Sequence, residues 1–564
     1  MSSKEGKILI AEPCRSAAEL LSHSLKEVGY FDLDLAFNTQ DVSRLCKKYH
    51  YALLIIDYHL DKTLSGTKLL QSLEQAKLLA KDSSVLFTSS DSQMSTILSA
   101  ISGHRASFLL TPYSKQVLQT KVQELLVVQR SFKEIYKHSC NFDFNSALRE
   151  AWKTTHKVRE NSRPIDYIVQ YFRSNKDWAG LRTFCYRCEG IPNLVLFEIE
   201  ASFRLNETAL KEALERTKLY IQEHPIHIEA YDFMFELYLQ QGEYDLALKA
   251  YDIAIELNPH VPQRPLDYLE LMVTKRCGDY EKFMRLSKLF LNSLTTNDND
   301  WMAMLAVHLR LSEIVFSRLG QRSNQEQFLK HLDRTLSLFS QQLNGMDSTN
   351  FKILRSLSLA KITMFNGQWV RAKKTLLDEV YPHIDKLTSL SNIVKLDLLV
   401  FAMTIGEFWL AQKTINSMGT ISLDNRYITN SIKYINSIKS HYMTYAYLVR
   451  KMNHKTDNKA KLPFDVVYST INAYPISSET NLLLLKYCIN NTNQYCDLLF
   501  YQGSRIVKNI SLTDSLSRER DITLSKLVRD KPELAKPCDQ SQFILKDTMS
   551  RDILLHHNNA ISTI

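Results

Sequence analysis

The sequence predicts a doubly wound α/β domain followed by an all-α array of stacked helical hairpins. Three observations predict it: short apolar runs alternate with helical stretches up to about Arg130, the alternation then stops, and small and aromatic residues recur at a period of about 34. Composition agrees. Of 564 residues only 14 are Gly and 13 Pro, while 45% are hydrophobic, which excludes collagenous, low-complexity and wholly disordered chains.

The first domain reads element by element. Ile8-Leu9-Ile10 is a short strand, followed by a helical stretch from Ser16 to Val28, the strand Leu33-Leu35 and a helix near Val42 to Lys48. The continuous apolar run Ala52-Leu53-Leu54-Ile55-Ile56 suits a central strand buried on both faces of a parallel sheet. A helix over Lys68 to Ala80, the strand Val85-Leu86-Phe87, a helix over Met94 to Ser102, the strand Phe108-Leu109-Leu110 and a helix over Lys115 to Val128 complete the pattern.

In open parallel sheets, functional groups gather beyond the carboxyl ends of the strands. Those positions hold Glu12, Asp57, Thr88 and Thr111-Pro112. With ILIAEP, LLIIDYHL, VLFTSS and FLLTPY in that order and spacing, the segment resembles the receiver domain of two-component response regulators over about 125 residues, a flavodoxin-like fold. The resemblance implies that Asp57 is the phosphate acceptor. It makes Glu12, Asp57 and the His59 carbonyl the ligands of Mg²⁺, Thr88 the hydroxyl that closes on the phosphoryl group, and Phe108 the aromatic that turns inward with it. A carboxylate nucleophile attacking a phosphoryl donor needs a cation to offset both charges. Two positions depart from the family. Pro13 replaces the second acid of the acidic pair, and Thr111 stands where the family has lysine, so weak Mg²⁺ binding and slow phosphorylation are expected.

After Arg130 amphipathic helices follow one another. The segment Ala230 to Pro259 carries Tyr231, Tyr238, Gly242, Tyr244, Ala247, Tyr251, Ala254 and Pro259, which resembles a tetratricopeptide repeat. One period back lie Pro225, Ala213 and Ala201 in a weaker repeat beginning near Pro192. A turn signature of Gly, polar, aromatic recurs at Gly278-Asp279-Tyr280, Gly367-Gln368-Trp369 and Gly406-Glu407-Phe408, and Asn175 to Leu181 forms a similar turn. The expected organisation is a receiver-like domain at 1–130, a helical connector at 131–190, repeats at 191–300, degenerate repeats at 301–510, and a capping helix or partly disordered tail at 511–564. The Tyr and Ala positions are expected in the core. A partner peptide is expected in the groove, against outward residues such as Asp232, Phe235 and Glu236.

Other constellations are weaker. Cys185 and Cys188 form a single CxxC in a helical stretch and read as packed thiols. His224 and His227 flank Pro225 without a metal-binding helix and read as loop residues. Arg450, Lys451, Lys455, Lys459 and Lys461 form a basic segment, read as a solvated loop.

Function classes narrow accordingly. The closest two glycines are Gly180 and Gly190, so Walker loops, GxGxxG fingerprints and GxSxG elbows are absent, and no enzyme is expected. No apolar run approaches a transmembrane span and the nine cysteines lack framework spacing, so a cytoplasmic chain with reduced thiols is expected. The expected function is a signalling adaptor whose receiver, either phosphorylated by a histidine kinase or acting as a pseudo-receiver without phosphorylation, controls protein binding by the repeats. A nucleic-acid-binding regulator is the less favoured alternative, permitted by the formal charge of +9.

Overall fold

The computed structural model describes residues 6–61, 66–80, 82–93, 97, 106–140, 143–157, 162–188, 191–276, 279–296, 300–420, 426–456, 464–490 and 514–530. The chain divides into two compact units, residues 1–268 with 293–297, and residues 269–292 with 298–564.

The first unit opens with five parallel strands, β1 (Ile8–Ala11), β2 (Leu33–Ala36), β3 (Leu53–Asp57), β4 (Ser84–Ser89) and β5 (Ala106–Leu110), in the order β2-β1-β3-β4-β5. Alternation along the strands decides which helix covers which face. Leu9, Leu54, Ile56, Val85 and Phe87 meet Val42 and Cys46 of the Thr39–Lys48 helix and Leu69 and Leu73 of Gly66–Gln75. Ile8, Ile10, Leu53, Ile55 and Leu86 meet Leu21 and Leu25 of Arg15–Lys26 and Leu118, Val122 and Leu126 of Lys115–Cys140. Each fully buried Leu or Ile contributes about 1.5–3 kcal/mol, so this double-faced burial is what fixes the sheet. Gly66 starts its helix hard against the sheet, since a Cβ there would lie 2.7 Å from the Phe87 ring. The helix read at Met94 to Ser102 lies outside the described residues except for residue 97.

The helix read at Lys115 to Val128 does not stop there. It runs unbroken to Cys140, because the side chains that face the sheet up to Leu126 are followed by Phe132 and Ile135, which face a second core. That second core is built with Ala147, Ala151, Ile165, Ile168, Leu181 and Phe184 from the next helices, Phe144–Lys157, Ser162–Ser174 and Trp178–Arg187. Residue 130 therefore falls inside one continuous helix.

Helical hairpins follow as Pro192–Arg204 with Leu210–Glu223 and Ile228–Gln241 with Tyr244–Leu257. Ala201, Ala213, Ala230, Ala247 and Ala254 are fully buried, and Tyr231, Tyr238 and Tyr251 are nearly so, as the repeat reading expects of its core positions. Gly242 ends its helix with φ +81°, which only glycine adopts without strain.

In the second unit the same glycine turn recurs at Gly367 (φ +74°) and Gly406 (φ +75°), each between two helices, while Gly278 lies outside the described residues. Helices here lengthen, with 18 residues in Trp301–Arg318 and 21 in Gly345–Phe365, which accounts for the drift of the turns from a 34-residue period. Two groups of charged side chains are buried among these helices. Asp397 accepts from Arg310 at 3.1 Å, from Lys361 at 3.3 Å and from the Tyr427 hydroxyl at 3.1 Å, with Glu313 3.6 Å from Lys361. Lys373 pairs with Glu407 and donates to Ser478 Oγ at 2.8 Å, and Glu407 accepts from the Ser478 backbone N–H and Trp409 Nε1, both at 2.7 Å. Of the tail, Asp514–Asp530 is a helix that meets Ser478–Asn490, with Lys486 paired to Glu519.

Candidate functional site

Strand order reverses beside β1: β1 lies between β2 and β3, and the next strands add beyond β3. The carboxyl ends of β1 and β3 therefore open at the switch point, where α/β sheets bind their ligands. Glu12 follows β1 and Asp57 ends β3, both half-buried. Parallel register places Thr88 of β4 level with Asp57, and Phe108 level with Phe87.

The pocket is made rigid by backbone. The His59 N–H donates to Asp57 Oδ1 at 2.7 Å, the Cys14 N–H donates to Glu12 Oε1 at 3.1 Å, and Tyr58 N–H bonds the Thr88 carbonyl at 2.8 Å. Burial raises the Asp57 carboxyl above the usual carboxylate range, against the opposing pull of the His59 N–H. Burial also raises Glu12, and the negative charge of Asp57 adds to the rise. Two acids that repel each other, with no Lys or Arg paired to either among the described residues, form a set of hard oxygen donors short of positive charge. That chemistry fits a small divalent cation, and receiver domains typically hold Mg²⁺ at their phosphorylation site.

Thr88 is buried, and Phe108 is partly buried, edge-on to Tyr58 at 6.2 Å between ring centroids. Tyr58 in turn meets Phe87 at 5.7 Å, so an aromatic file runs from beside Asp57 to β5. Sequence reasoning missed Tyr113. It lies partly buried just past the end of β5, at the strand end that lacks the family lysine, and burial with the charges of Glu12 and Asp57 pushes its hydroxyl up to about 12. The signal was present in FLLTPY, two positions beyond Thr111.

This geometry meets an independent comparison. Residues 8–123 match the response regulator receiver domain. No curated protein matches the chain. The receiver supports a response-regulator-like signalling role, and the sheet order is the one its fold requires. Among the described residues no helix is long and apolar enough to cross a membrane.

Of the expected groove residues, one is placed differently from the sequence reading and two are partly exposed. Phe235 does not face outward: it is 6% exposed and stacks on Tyr251 at 3.6 Å. Asp232 is held by Arg264 through two bonds of 2.7 and 2.8 Å, and Glu236 by Arg204 at 2.5 Å. The Ile228–Gln241 helix is apolar around most of its circumference, so hairpins on both sides cover positions that a single hairpin would leave open.

Cys185 and Cys188 are buried thiols, with Cys185 pushed up to about 12 by burial, and among the described residues no His, Cys, Asp or Glu side chains gather in a group of three or more that could hold a metal. His224 and His227 lie in the loop between helices, the latter bonded to the Tyr220 hydroxyl at 2.6 Å. Arg450, Lys451 and Lys455 are not in a loop but near the end of the helix Arg426–Thr456. The cause is a run of apolar residues at helical spacing that continues to Val449, whereas Lys459 and Lys461 lie outside the described residues.

Proposed function

We propose that the chain is a signalling adaptor, not an enzyme, in which the state of the Asp57 pocket controls what the helical array binds. One observation carries the reading. The helix Lys115–Cys140 belongs to two cores, holding the sheet through Leu118, Val122 and Leu126 and the first array helices through Phe132 and Ile135. A shift of its first half must move its second, since packed interiors do not deform locally.

Asp57 is the acceptor: its free carboxylate oxygen attacks phosphorus of a donor such as a kinase phosphohistidine, the new O–P bond forming as the P–N bond breaks and the departing imidazole nitrogen takes a proton from water. The Glu12 and Asp57 carboxylates and the His59 carbonyl are the oxygens available to hold Mg²⁺, which when bound offsets charge on the carboxylates and the incoming phosphoryl group. In this reading Thr88, level with Asp57 across β3 and β4, receives the new phosphoryl oxygens, and the file Tyr58 and Phe108 registers its movement; the register and the ring contact support it. Pro13 supplies no ligand oxygen and Thr111 no cation, so transfer is slow. The array resembles tetratricopeptide repeats and binds a protein segment in its groove, where Asp232 and Glu236 remain partly exposed.

Incubating the full chain with acetyl phosphate and Mg²⁺ and recording intact mass tests the chemistry. The expected result is slow, incomplete modification abolished by Asp57→Ala. Rapid stoichiometric modification would show that Pro13 and Thr111 matter little, and partner binding unchanged by Asp57→Ala would make the domain a docking module.

A further inference from the structure

The helix Arg426–Thr456 is 31 residues long and contains no Asp or Glu. It carries Arg426, Lys433, Lys439, Arg450, Lys451 and Lys455, so this one helix accounts for most of the chain's formal charge of +9. One side is core, with Tyr427, Tyr434, Tyr442, Ala446 and Val449 buried. The other side is open. Lys433, Lys439, Arg450 and Lys451 are exposed, as are Met443 and Tyr447, at 54% and 63%.

The order of these groups along the helix is informative. Lys433 to Lys451 spans about 27 Å at the rise of an α-helix. The two apolar residues fall between cations, with Lys433 and Lys439 before them and Arg450 and Lys451 after. Arg450 donates to Gln412 Oε1 at 2.8 Å, a neutral partner, and Lys451 lies over the Tyr447 ring at 5.7 Å. Among the described residues no carboxylate pairs with any of these four cations. An apolar centre within a charged rim is the layout of protein interfaces, where Met, Tyr and Arg are enriched. A phosphate backbone would match cations along the whole stripe and leave Met443 without an apolar contact.

We propose that this face docks an acidic amphipathic segment of a partner protein, with apolar residues over Met443 and Tyr447 and carboxylates against the cations at either end. Charge complementarity selects that occupant. The chain does not supply it from its own later stretches, because residues 457–463, 491–513 and 531–564 hold at least as many basic as acidic residues. The proposal stands apart from the adaptor reading, since it needs neither Asp57 nor the Ala230 to Pro259 repeat.

The test is fluorescence anisotropy with the full chain and a labelled synthetic helix of about 18 residues, Leu on one face and Glu elsewhere, long enough to span the stripe. A scrambled peptide of the same composition, a duplex DNA oligonucleotide and phosphatidylserine vesicles are the comparison probes. The amphipathic peptide should bind saturably and more tightly than all three. Affinity should fall about tenfold or more in Met443→Ala/Tyr447→Ala and again in Lys439→Glu/Lys451→Glu, with circular dichroism unchanged, as truncation at an interface centre does. No saturable binding, equal binding of the scrambled peptide, affinity indifferent to Met443→Ala/Tyr447→Ala, or tighter binding of DNA or vesicles would overturn it.

Discussion

At Asp57, two half-buried carboxylates act on one another with no Lys or Arg paired to either among the described residues, whereas in residues 298–564 buried carboxylates are met by Arg310, Lys361 or Lys373. Both arrangements put charge where water is scarce, and they differ in what completes them. Asp397 and Glu407 are matched within the chain by cations and hydrogen bonds. The receiver acids accept backbone N–H bonds from His59 and Cys14, with no Lys or Arg paired to them among the described residues. The difference teaches that the helical unit uses charge to hold one packing, while the receiver keeps a deficit of positive charge, the feature on which the proposed Mg²⁺ and phosphoryl chemistry rests.

The largest effect that would sharpen this comparison is in the helical unit. Lys373→Met leaves Glu407 buried and unpaired, and should cost about 3–5 kcal/mol in denaturant unfolding. Lys373→Met with Glu407→Leu should recover much of that, because neither member of the pair is then left buried without the other. Equal loss in both variants would break the account of a matched pair.

Next is the helix shared by two cores. Arg130→Pro removes one backbone donor and clashes with the preceding turn, at a cost of about 3 kcal/mol. Its position between Leu126 and Phe132 should also let the sheet and the first array helices unfold in separate transitions. A single coincident transition would argue that the cores are joined by other contacts.

The pH dependence of the same unit is a third test. Burial raises Glu313 to about 7 and Glu479 to about 8. A carboxyl raised in the folded state keeps its proton there after the unfolded chain has lost it, so folding then takes up protons and stability falls as pH rises. The helical unit should therefore lose stability progressively between about pH 4.5 and pH 8, as followed by urea denaturation across that range. Stability rising over that window would contradict the assignment.

The smallest effect is at the pocket. Asp57→Asn removes one of two repelling acids and should stabilise the receiver by about 1 kcal/mol, the opposite sign to Lys373→Met. Asp57 and Glu12 are both raised, so the gain should grow as pH rises above the unfolded carboxylate range, and thermal melts of the two proteins at pH 4 and pH 8 measure it. A destabilised Asp57→Asn protein would mean that the carboxylate is needed for folding.

The receiver was largely legible in the sequence because strands such as Leu53 to Ile56 are buried on both faces and read as continuous apolar runs. Glu12, Asp57 and Thr88 were legible because strand ends fix where side chains emerge. Three features were hidden for physical reasons. The helix past Val128 changes the face it buries, so no single periodic stripe marks its length. Phe235 lies on a helix with apolar residues on most sides, and its burial depends on Tyr251 of the next helix. Lys361 and Lys373 look like surface lysines until long-range neighbours surround them.

The central claim is that a change at Asp57 travels along Lys115–Cys140 into the array. Hydrogen exchange read by mass spectrometry tests it most directly, comparing the full chain with and without beryllofluoride and Mg²⁺, and with Asp57→Ala as control. Altered protection of peptides covering 131–140 and the helix Phe144–Lys157, absent in Asp57→Ala, is the result the account predicts. Changes at Asp57 and Thr88 that end before residue 130 would contradict it.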